Sequence, residues 1–173
     1  FMVVASPSTA YFSTSTLKVL IERKYIRAVD GGTGQAKTGG NYAGGLCSAE
    51  RGRKLGLSQT LWLDSNKREF VEEMSGMNIF AMIRGKLVTP ALGKTILDGV
   101  TRRCLIRLAK DMGLCVEERA LSINELIETI QSGDCTECFA CGTAVILTPI
   151  DALGEEDGTL YNVASGGEGV GFK

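Results

Sequence analysis

The feature that most restricts how this chain can fold is a glycine-rich segment in its first quarter. Residues 31–40 hold five glycines around a single lysine, Lys37. Glycine reaches backbone conformations that other residues avoid, so the segment predicts a loop that can approach a bound ligand closely. A neutral lysine amine is a nucleophile that forms Schiff bases with carbonyl compounds. We therefore predict that this loop presents the amine of Lys37 to a ligand.

A nucleotide-binding P-loop is the alternative interpretation of the same segment. A P-loop needs a glycine directly before its lysine and a helix that begins there, so that backbone amides point at a phosphate group. Here Ala36 occupies the glycine position, and Gly39 and Gly40 delay the helix. These departures argue against a P-loop.

The composition indicates one globular domain and excludes several classes of site. The 173 residues are 44% hydrophobic, which is enough for a core. The 19 basic and 20 acidic residues give a net charge of −1 without a basic stripe, so we expect no nucleic-acid partner. No apolar run approaches the roughly 20 residues that span a bilayer, so we expect no membrane partner. Histidine is absent, which excludes Ser-His-Asp and Cys-His catalysis and leaves Lys, Asp, Glu, Tyr or Cys for proton transfer.

Six cysteines include the spaced series Cys135-x-x-Cys138-x-x-Cys141. The chain is too long and too poor in cysteine for a secreted disulfide scaffold, so we expect reduced thiols in a cytosolic protein. A tetrahedral zinc site needs four ligands. Neither a second cysteine pair at useful spacing nor a histidine is available. We therefore expect buried free thiols and no bound metal.

Hydrophobic patterning predicts many short strands and three helices. The predicted strands cover residues 1–5, 19–21, 25–26, 59–63, 70–73, 78–83, 86–89, 115–120, 137–140, 145–147 and 159–163. A tight turn at Arg84-Gly85 predicts a hairpin, and Pro149 is expected to end the strand at 145–147. Strands and helices alternate without regular βαβ spacing. We therefore expect an α/β (α+β) domain with a mixed, partly closed sheet and flanking helices.

The three predicted helices cover residues 41–55, 99–112 and 123–131. Gly56 is expected to end the first helix. Asp98 is a candidate N-cap for the second, and the run from Ser122 to Glu125 is a capping box for the third. The apolar face predicted for the second helix consists of Val100, Cys104, Leu105, Leu108 and Met112.

Four motifs occur in fixed order between residues 25 and 144. Residues 25–28 read Tyr-Ile-Arg-Ala, and the glycine loop that follows ends in Lys-x-Gly-Gly-Asn-Tyr-Ala. The other three are Glu-Met-Ser-Gly-Met-Asn-Ile-Phe at 73–80, Ile-Leu-Asp-Gly-Val-Thr-Arg at 96–102, and Cys-Gly-Thr-Ala at 141–144. Together they resemble the branched-chain aminotransferases, which are pyridoxal-phosphate enzymes. The resemblance implies the D-amino-acid-aminotransferase-like fold of that family.

The resemblance also implies a cofactor site centred on Lys37, which would hold pyridoxal 5'-phosphate as a Schiff base. Tyr42 is similar to the family residue that hydrogen-bonds the ring oxygen of the cofactor. Glu73 is similar to the acid beside the pyridine nitrogen, where a carboxylate keeps the ring protonated and electron-withdrawing. We favour Glu73 over its neighbour Glu72, because Glu73 lies five residues before Asn78, as the family motif requires.

The phosphate group is expected at the start of the second helix, where backbone amides attract anions. The residues that the resemblance implies around the rest of the cofactor are Leu97, Gly99, Val100, Thr101, Thr143 and Arg27. Arg27 is similar to an arginine near the phosphate, but it could equally be an outward-facing strand charge. Asp98 is expected to cap the helix and point away from the phosphate. Thr143 and Ala144 are implied as contacts of the substrate, with an amide that binds its carboxylate.

The implied reaction transfers the amino group of leucine, isoleucine or valine to 2-oxoglutarate, with the freed Lys37 amine as general base and acid at Cα. D-amino-acid transaminase and aminodeoxychorismate lyase share the fold and stay open as alternatives, although the Lys-x-Gly-Gly-Asn-Tyr-Ala run argues against both. An inactive, isolated cofactor-binding domain is a third possibility.

The resemblance further implies a large cofactor-binding domain at 17–173, an interdomain segment with a first strand at 1–16, and a smaller N-terminal domain that would precede them. It also implies a cytoplasmic homodimer whose partners are small amino acids and 2-oxo acids.

Overall fold

The computed structural model describes residues 1–7 and 16–163. These residues form nine strands and four helices. The strands are β1 (Leu17–Glu22), β2 (Gln59–Leu63), β3 (Val71–Met74), β4 (Asn78–Ile83), β5 (Lys86–Pro90), β6 (Cys115–Arg119), β7 (Cys135–Gly142), β8 (Ile146–Gly154) and β9 (Leu160–Asn162). The helices are α1 (Gly40–Ala43), α2 (Leu46–Lys54), α3 (Val100–Asp111) and α4 (Ile123–Ser132).

All nine strands belong to one sheet with the order β3-β2-β1-β8-β7-β4-β5-β6, and β9 pairs with β8. The pairs β1–β2, β1–β8 and β5–β6 are parallel. The pairs β2–β3, β4–β5, β4–β7, β7–β8 and β8–β9 are antiparallel. The sheet is therefore mixed, as the sequence predicts, and β8 joins its two halves.

The core lies on both faces of this sheet. On one face, α4 packs Ile123, Leu126 and Ile130 into a large cluster with residues from β1, β2, β4 and β8. On the other face, α3 contributes Ile106 and Ala109 to a smaller cluster. Ser122 caps α4 by accepting a hydrogen bond from the amide of Asn124 at 3.2 Å. The second half of the predicted capping box is not formed, because the carboxylate of Glu125 accepts hydrogen bonds from Arg119 instead. None of the helices in the described residues has an apolar stretch that could cross a lipid bilayer.

The predicted strands at residues 1–5 and 25–26 are wrong. Residues 1–5 have no regular structure, and the side chains of residues 1–4 are exposed. After β1, the buried carboxylate of Glu22 accepts hydrogen bonds from the amides of Lys24 and Tyr25 at 2.8 and 3.0 Å. These bonds turn the chain, so the strand cannot continue to residue 26.

The predicted helix at 41–55 is interrupted at Gly44 and Gly45, which separate α1 from α2. Two adjacent glycines cost roughly 1 kcal/mol each relative to alanine in a helix interior. A Cβ on Gly45 would lie 3.5 Å from the ring of Trp62, so this position also brings the backbone close to β2.

The apolar face predicted for the second helix is wrong except at Leu105, which is partly buried and packs against the smaller cluster. The buried residues of α3 are Arg102, Ile106 and Ala109, whereas Val100, Leu108 and Met112 of the predicted face are exposed, as is Cys104. Arg102 tolerates burial because its guanidinium donates to the carbonyl of Pro90 and to the carboxylate of Glu118. These partners lie far from Arg102 in the sequence, so helical periodicity does not reveal them.

Pro149 does not end its strand, because β8 continues to Gly154. Residues 146–149 pair with β7, and the pairing with β1 begins at Ile150. Proline lacks an amide donor, and its position where β8 changes partner makes that loss tolerable.

Candidate active site

Two adjoining cavities lie where the glycine loop, the start of α3 and the turn between β7 and β8 meet. The smaller has a volume of about 260 Å³ and the larger about 550 Å³. Both are lined by Lys37, Gly76, Met77, Gly142 and Thr143. The two cavities therefore adjoin and share these five lining residues.

Most of the predicted site residues line these cavities. Lys37, Glu73, Leu97, Gly99, Val100, Thr101 and Thr143 line the smaller one. Lys37, Tyr42, Thr143 and Ala144 line the larger one. The four separate sequence motifs thus meet around one space.

Lys37 is held in place by the folding of its own loop. The side-chain amide of Asn41 donates to the carbonyl oxygens of Thr33 and Ala36, both at 2.9 Å, and this closes the loop around the lysine. The amine of Lys37 lies 5.4 Å from the ring centroid of Tyr42, within the range of a cation–π interaction. Both side chains are exposed, so the amine is accessible from the cavities.

Glu73 contributes a deeply buried carboxylate to the wall of the smaller cavity. The residue is only 3% exposed. Its Oε1 accepts a hydrogen bond from the amide of Leu97 at 3.0 Å and forms an ion pair with Arg27. Its Oε2 has only a long contact of 3.5 Å with the side-chain amide of Asn78. Burial raises the pKa of Glu73 to about 7, and the Arg27 charge opposes this increase. The neighbouring Glu72 instead accepts a hydrogen bond from the hydroxyl of Thr95.

The start of α3 forms the opposite wall of the smaller cavity. Gly99 is the N-cap residue, and no side chain caps the helix. Asp98 therefore does not cap it, contrary to the prediction. Asp98 lines the smaller cavity and forms an ion pair with Arg103 at 3.5 Å. The first amides of α3 are thus available for an anion.

Asn78 connects the acid to this helix start. Its side-chain amide donates to the carbonyl of Leu97 at 2.9 Å. A Cβ on Gly99 would lie 2.3 Å from the Oδ1 atom of Asn78, so only glycine fits at the helix start. The sequence motif at 73–80 contains Asn78, but spacing alone gives it no role beyond marking the motif.

Arg27 lies elsewhere than the sequence suggests. It lines neither of the two cavities and instead pairs with Glu73. Arg27 follows the end of β1 in the sequence, and its side chain is only 6% exposed. It is therefore not an outward-facing charge on a strand either. Arg27 therefore lies beside the carboxylate of Glu73 and outside the cavity in which the phosphate group is expected.

Five residues of the larger cavity lie outside both the predicted site and the four motifs. Ala49 lies on α2, Val145 lies just before β8, and Ser58, Gln59 and Thr60 lie directly before and at the start of β2. Nothing in their local sequence marks them as parts of a site.

The cysteine series contributes no metal site within residues 1–7 and 16–163, where no group of three or more His, Cys, Asp or Glu side chains could hold a metal ion. Cys135, Cys138 and Cys141 are buried and free. Cys141 lines the smaller cavity, and burial raises the pKa of its thiol to about 12. A thiol with so high a pKa stays protonated and does not act as a nucleophile near neutral pH.

Comparison with known proteins gives consistent results for sequence and structure. The family described as amino-transferase class IV matches residues 1–153. A probable branched-chain-amino-acid aminotransferase of Staphylococcus epidermidis is 46% identical over 159 residues, which cover 90% of this chain and 44% of that protein. The branched-chain-amino-acid aminotransferase of Mycolicibacterium smegmatis is 41% identical over 175 residues, which cover 98% of this chain and 47% of that protein.

Solved structures agree with the fold. A branched-chain amino acid aminotransferase from Escherichia coli superposes with a TM-score of 0.78 at 31% identity and covers 93% of this chain and 50% of that one. The enzyme from Thermobaculum terrenum in its PLP form superposes with a TM-score of 0.77 at 27% identity, covering 91% and 47%. These matches confirm the predicted fold class. The chain spans about half the length of the relatives it matches.

Proposed function

Because this chain belongs to the class IV aminotransferases, we propose that its cavities bind pyridoxal 5'-phosphate and an amino acid, and that it serves as the cofactor-binding domain of a branched-chain aminotransferase. The single observation that carries the proposal is the convergence of Lys37, Glu73, Thr101 and Thr143 on one cavity. These residues come from four separate motifs. In this proposal, 2-oxoglutarate accepts the amino group of leucine, isoleucine or valine.

The residues around the smaller cavity fit the cofactor that class IV aminotransferases use. The Oε2 atom of Glu73 is buried with only one long contact, which suits a protonated ring nitrogen. The uncapped amides of α3, together with the hydroxyl of Thr101, suit a phosphate group. Lys37 lines the same space as Glu73 and the start of α3.

When bound, the cofactor supplies a carbonyl carbon for the amino group and a ring that withdraws electrons from Cα. In the proposed mechanism, the Nζ atom of Lys37 removes the Cα proton and later returns a proton to the reacting carbon. Glu73 keeps a proton on the ring nitrogen. The protonated ring nitrogen would be an opposite charge beside Glu73. Because an opposite charge lowers the pKa of a carboxyl group, this pairing would favour the ionised form of Glu73 near neutral pH.

The remaining residues bind and orient. Tyr42 lies near Gly76 of the Glu73 motif, where a Cβ on Gly76 would be 3.9 Å from its ring, and in this proposal its phenol binds the ring oxygen of the cofactor. The turn after β7 offers the hydroxyl of Thr143 and the amide of Ala144 to anionic groups of the cofactor and the substrate. Both turn residues line the larger cavity, where the substrate would lie.

The lining of the larger cavity supports a branched aliphatic substrate. The larger cavity has apolar surface beside the hydroxyl side chains of Ser58 and Thr60, contributed by Ala49, Met77, Ala144 and Val145. Apolar surface of this kind favours an aliphatic side chain over a charged one. The relatives at 41–46% identity carry branched-chain names, which supports the same choice over D-amino-acid transaminase and aminodeoxychorismate lyase.

The larger organisation is proposed on the same basis. We infer that residues from 17 onward form the large, cofactor-binding domain, with residues 1–16 as the segment that leads into it. A homodimer in the cytoplasm stays a prediction from the resemblance.

The test compares cofactor binding and substrate choice. The wild-type protein should gain a visible absorbance band with pyridoxal 5'-phosphate, and Lys37→Ala should lose it. Lys94→Ala is the matched control, because Lys94 is exposed and pairs with Asp30 outside the cavities. With 2-oxoglutarate, the enzyme should consume leucine. Activity with D-alanine but not with leucine would refute the proposed substrate.

A further inference from the structure

The guanidinium group of Arg27 connects three parts of the candidate active site. Its Nη2 atom lies 2.7 Å from the carbonyl oxygen of Gly34 and 2.6 Å from that of Thr95. The same nitrogen forms the ion pair with Oε1 of Glu73. Arg27 therefore contacts the glycine loop, the segment that leads to α3, and the buried acid at once.

Each of the two carbonyl groups belongs to a segment that carries a proposed cofactor contact. Gly34 lies three residues before Lys37, and Thr95 lies two residues before Leu97, whose amide donates to Glu73. The two segments are also in direct contact. A Cβ on Gly34 would lie 2.6 Å from the carbonyl oxygen of Thr95, so the loop packs there without space for a side chain.

The charges around Glu73 give Arg27 a second effect. Burial is the largest influence and raises the pKa of this carboxyl group, and Arg27 is the strongest of the charges that lower it. Lys37 on the glycine loop lowers it further, whereas Glu72 on the same strand raises it. Without Arg27, burial and Glu72 would still raise the pKa of Glu73, and only Lys37 and the amide of Leu97 would remain to lower it.

We propose that Arg27 is a positioning residue that holds Oε1 of Glu73, leaves Oε2 for the cofactor ring nitrogen, and ties the Lys37 loop to the approach to α3. The inference rests on the proposed function, because the cofactor ring nitrogen is the partner proposed for Oε2, which otherwise has only the long contact with Asn78. It differs from the role near the phosphate group that the sequence suggests, since Arg27 touches the acid and two backbone carbonyls instead.

The test begins with the cofactor-free protein, so that it does not depend on binding. Carbon-13 NMR of glutamate carboxyl groups gives the pKa of Glu73, which Glu73→Gln assigns. Loss of an adjacent opposite charge changes a carboxyl pKa by about 1 to 3 units, so Arg27→Met should raise it by about 1 or more. Arg27→Lys keeps a charge without the planar fork and should raise it less. Arg51→Met is the control, because Arg51 pairs with the buried Glu22 and lines neither of the two cavities.

The second measurement is the affinity for pyridoxal 5'-phosphate. Arg27→Met should weaken it at least about tenfold and Arg27→Lys at least about threefold, while Arg51→Met leaves it unchanged. Hydrogen exchange at residues 33–37 should accelerate in both Arg27 variants only. If Arg27→Met does not fold, Arg27→Lys decides the question, with the fluorescence of the buried Trp62 as the check of folding.

A pKa of Glu73 within about 0.3 of the wild-type value in the folded Arg27 variants would overturn the proposal. Equal loss of cofactor affinity in Arg51→Met would overturn it too, because the effect would then be general destabilisation. If the wild-type protein binds no pyridoxal 5'-phosphate, the proposed function fails, and the proposed role of Arg27 toward the cofactor fails with it. The titration of Glu73 then still shows whether Arg27 acts on the acid.

Discussion

Replacing Glu73 by glutamine should change how the stability of the cofactor-free protein depends on pH. Glu73 is 3% exposed, and burial raises the pKa of its carboxyl group from 4.5 to about 7. Between pH 4.5 and about pH 7, Glu73 is therefore protonated in the folded protein but ionised in the unfolded chain. Stability from this group is fully present below about pH 4.5 and is lost as the pH rises through about 7.

The size of the effect follows from the difference in pKa. Each unit corresponds to about 1.4 kcal/mol, so the raised pKa of Glu73 corresponds to about 3.5 kcal/mol in the free energy of unfolding. Most of this change falls between about pH 5 and pH 8. Glutamine does not ionise, so Glu73→Gln should become more stable relative to wild type by about 2 to 3 kcal/mol over that interval. Glu72, whose pKa burial also raises, is present in both proteins.

Urea unfolding followed by fluorescence measures this difference directly. Trp62 is the single tryptophan and is fully buried, so its emission reports global unfolding. The control is Glu128→Gln, which alters an exposed carboxylate on α4 outside the site and should not reproduce the effect of Glu73→Gln. A difference in stability between Glu73→Gln and wild type that does not change with pH would refute the burial and the raised pKa that underlie the proposed site.

Four further substitutions test the packing around the site and of α3. Gly99→Ala would place a Cβ 2.3 Å from Oδ1 of Asn78; it should weaken pyridoxal 5'-phosphate binding about tenfold in a fluorescence titration, and unchanged affinity would contradict the close contact. Gly34→Ala would place a Cβ 2.6 Å from a backbone oxygen of the segment before α3; it should lower the free energy of unfolding by about 1 to 3 kcal/mol in urea, and a neutral effect would argue against that packing. Ile106→Ala should cost about 2 to 4 kcal/mol, whereas Leu108→Ala should change stability by less than about 0.5 kcal/mol. A larger loss of stability in Leu108→Ala than in Ile106→Ala would instead support the apolar face that the sequence predicts for α3.

The parts of the fold and the site that depend on local chemistry could be predicted from the sequence. The capping of α4 by Ser122 needs only neighbouring residues. The positions of Lys37 and Glu73 follow from motifs in which glycine spacing and a nearby Asn78 are visible in the linear chain. The hairpin between β4 and β5 is signalled by its Arg84-Gly85 turn, where both residues have positive φ.

The parts that failed depend on contacts between distant residues. Arg102 is buried in α3 because its partners Pro90 and Glu118 come from two other strands. Arg27 meets Glu73 across 46 positions of sequence, which no helical or strand periodicity encodes. The continuation of β8 past Pro149 depends on its exchange of β7 for β1 as a partner. In each case, a tertiary contact overrides what the local pattern favours.

The most direct test of the proposed function is to locate the lysine that reacts with pyridoxal 5'-phosphate. The protein is incubated with the cofactor, reduced with borohydride, digested and sequenced by mass spectrometry. The phosphopyridoxyl group should be found on the peptide that contains Lys37 and be lost in Lys37→Ala. Attachment to another lysine, or no attachment beyond that seen with Lys37→Ala, would contradict the proposal that this loop carries the reactive amine.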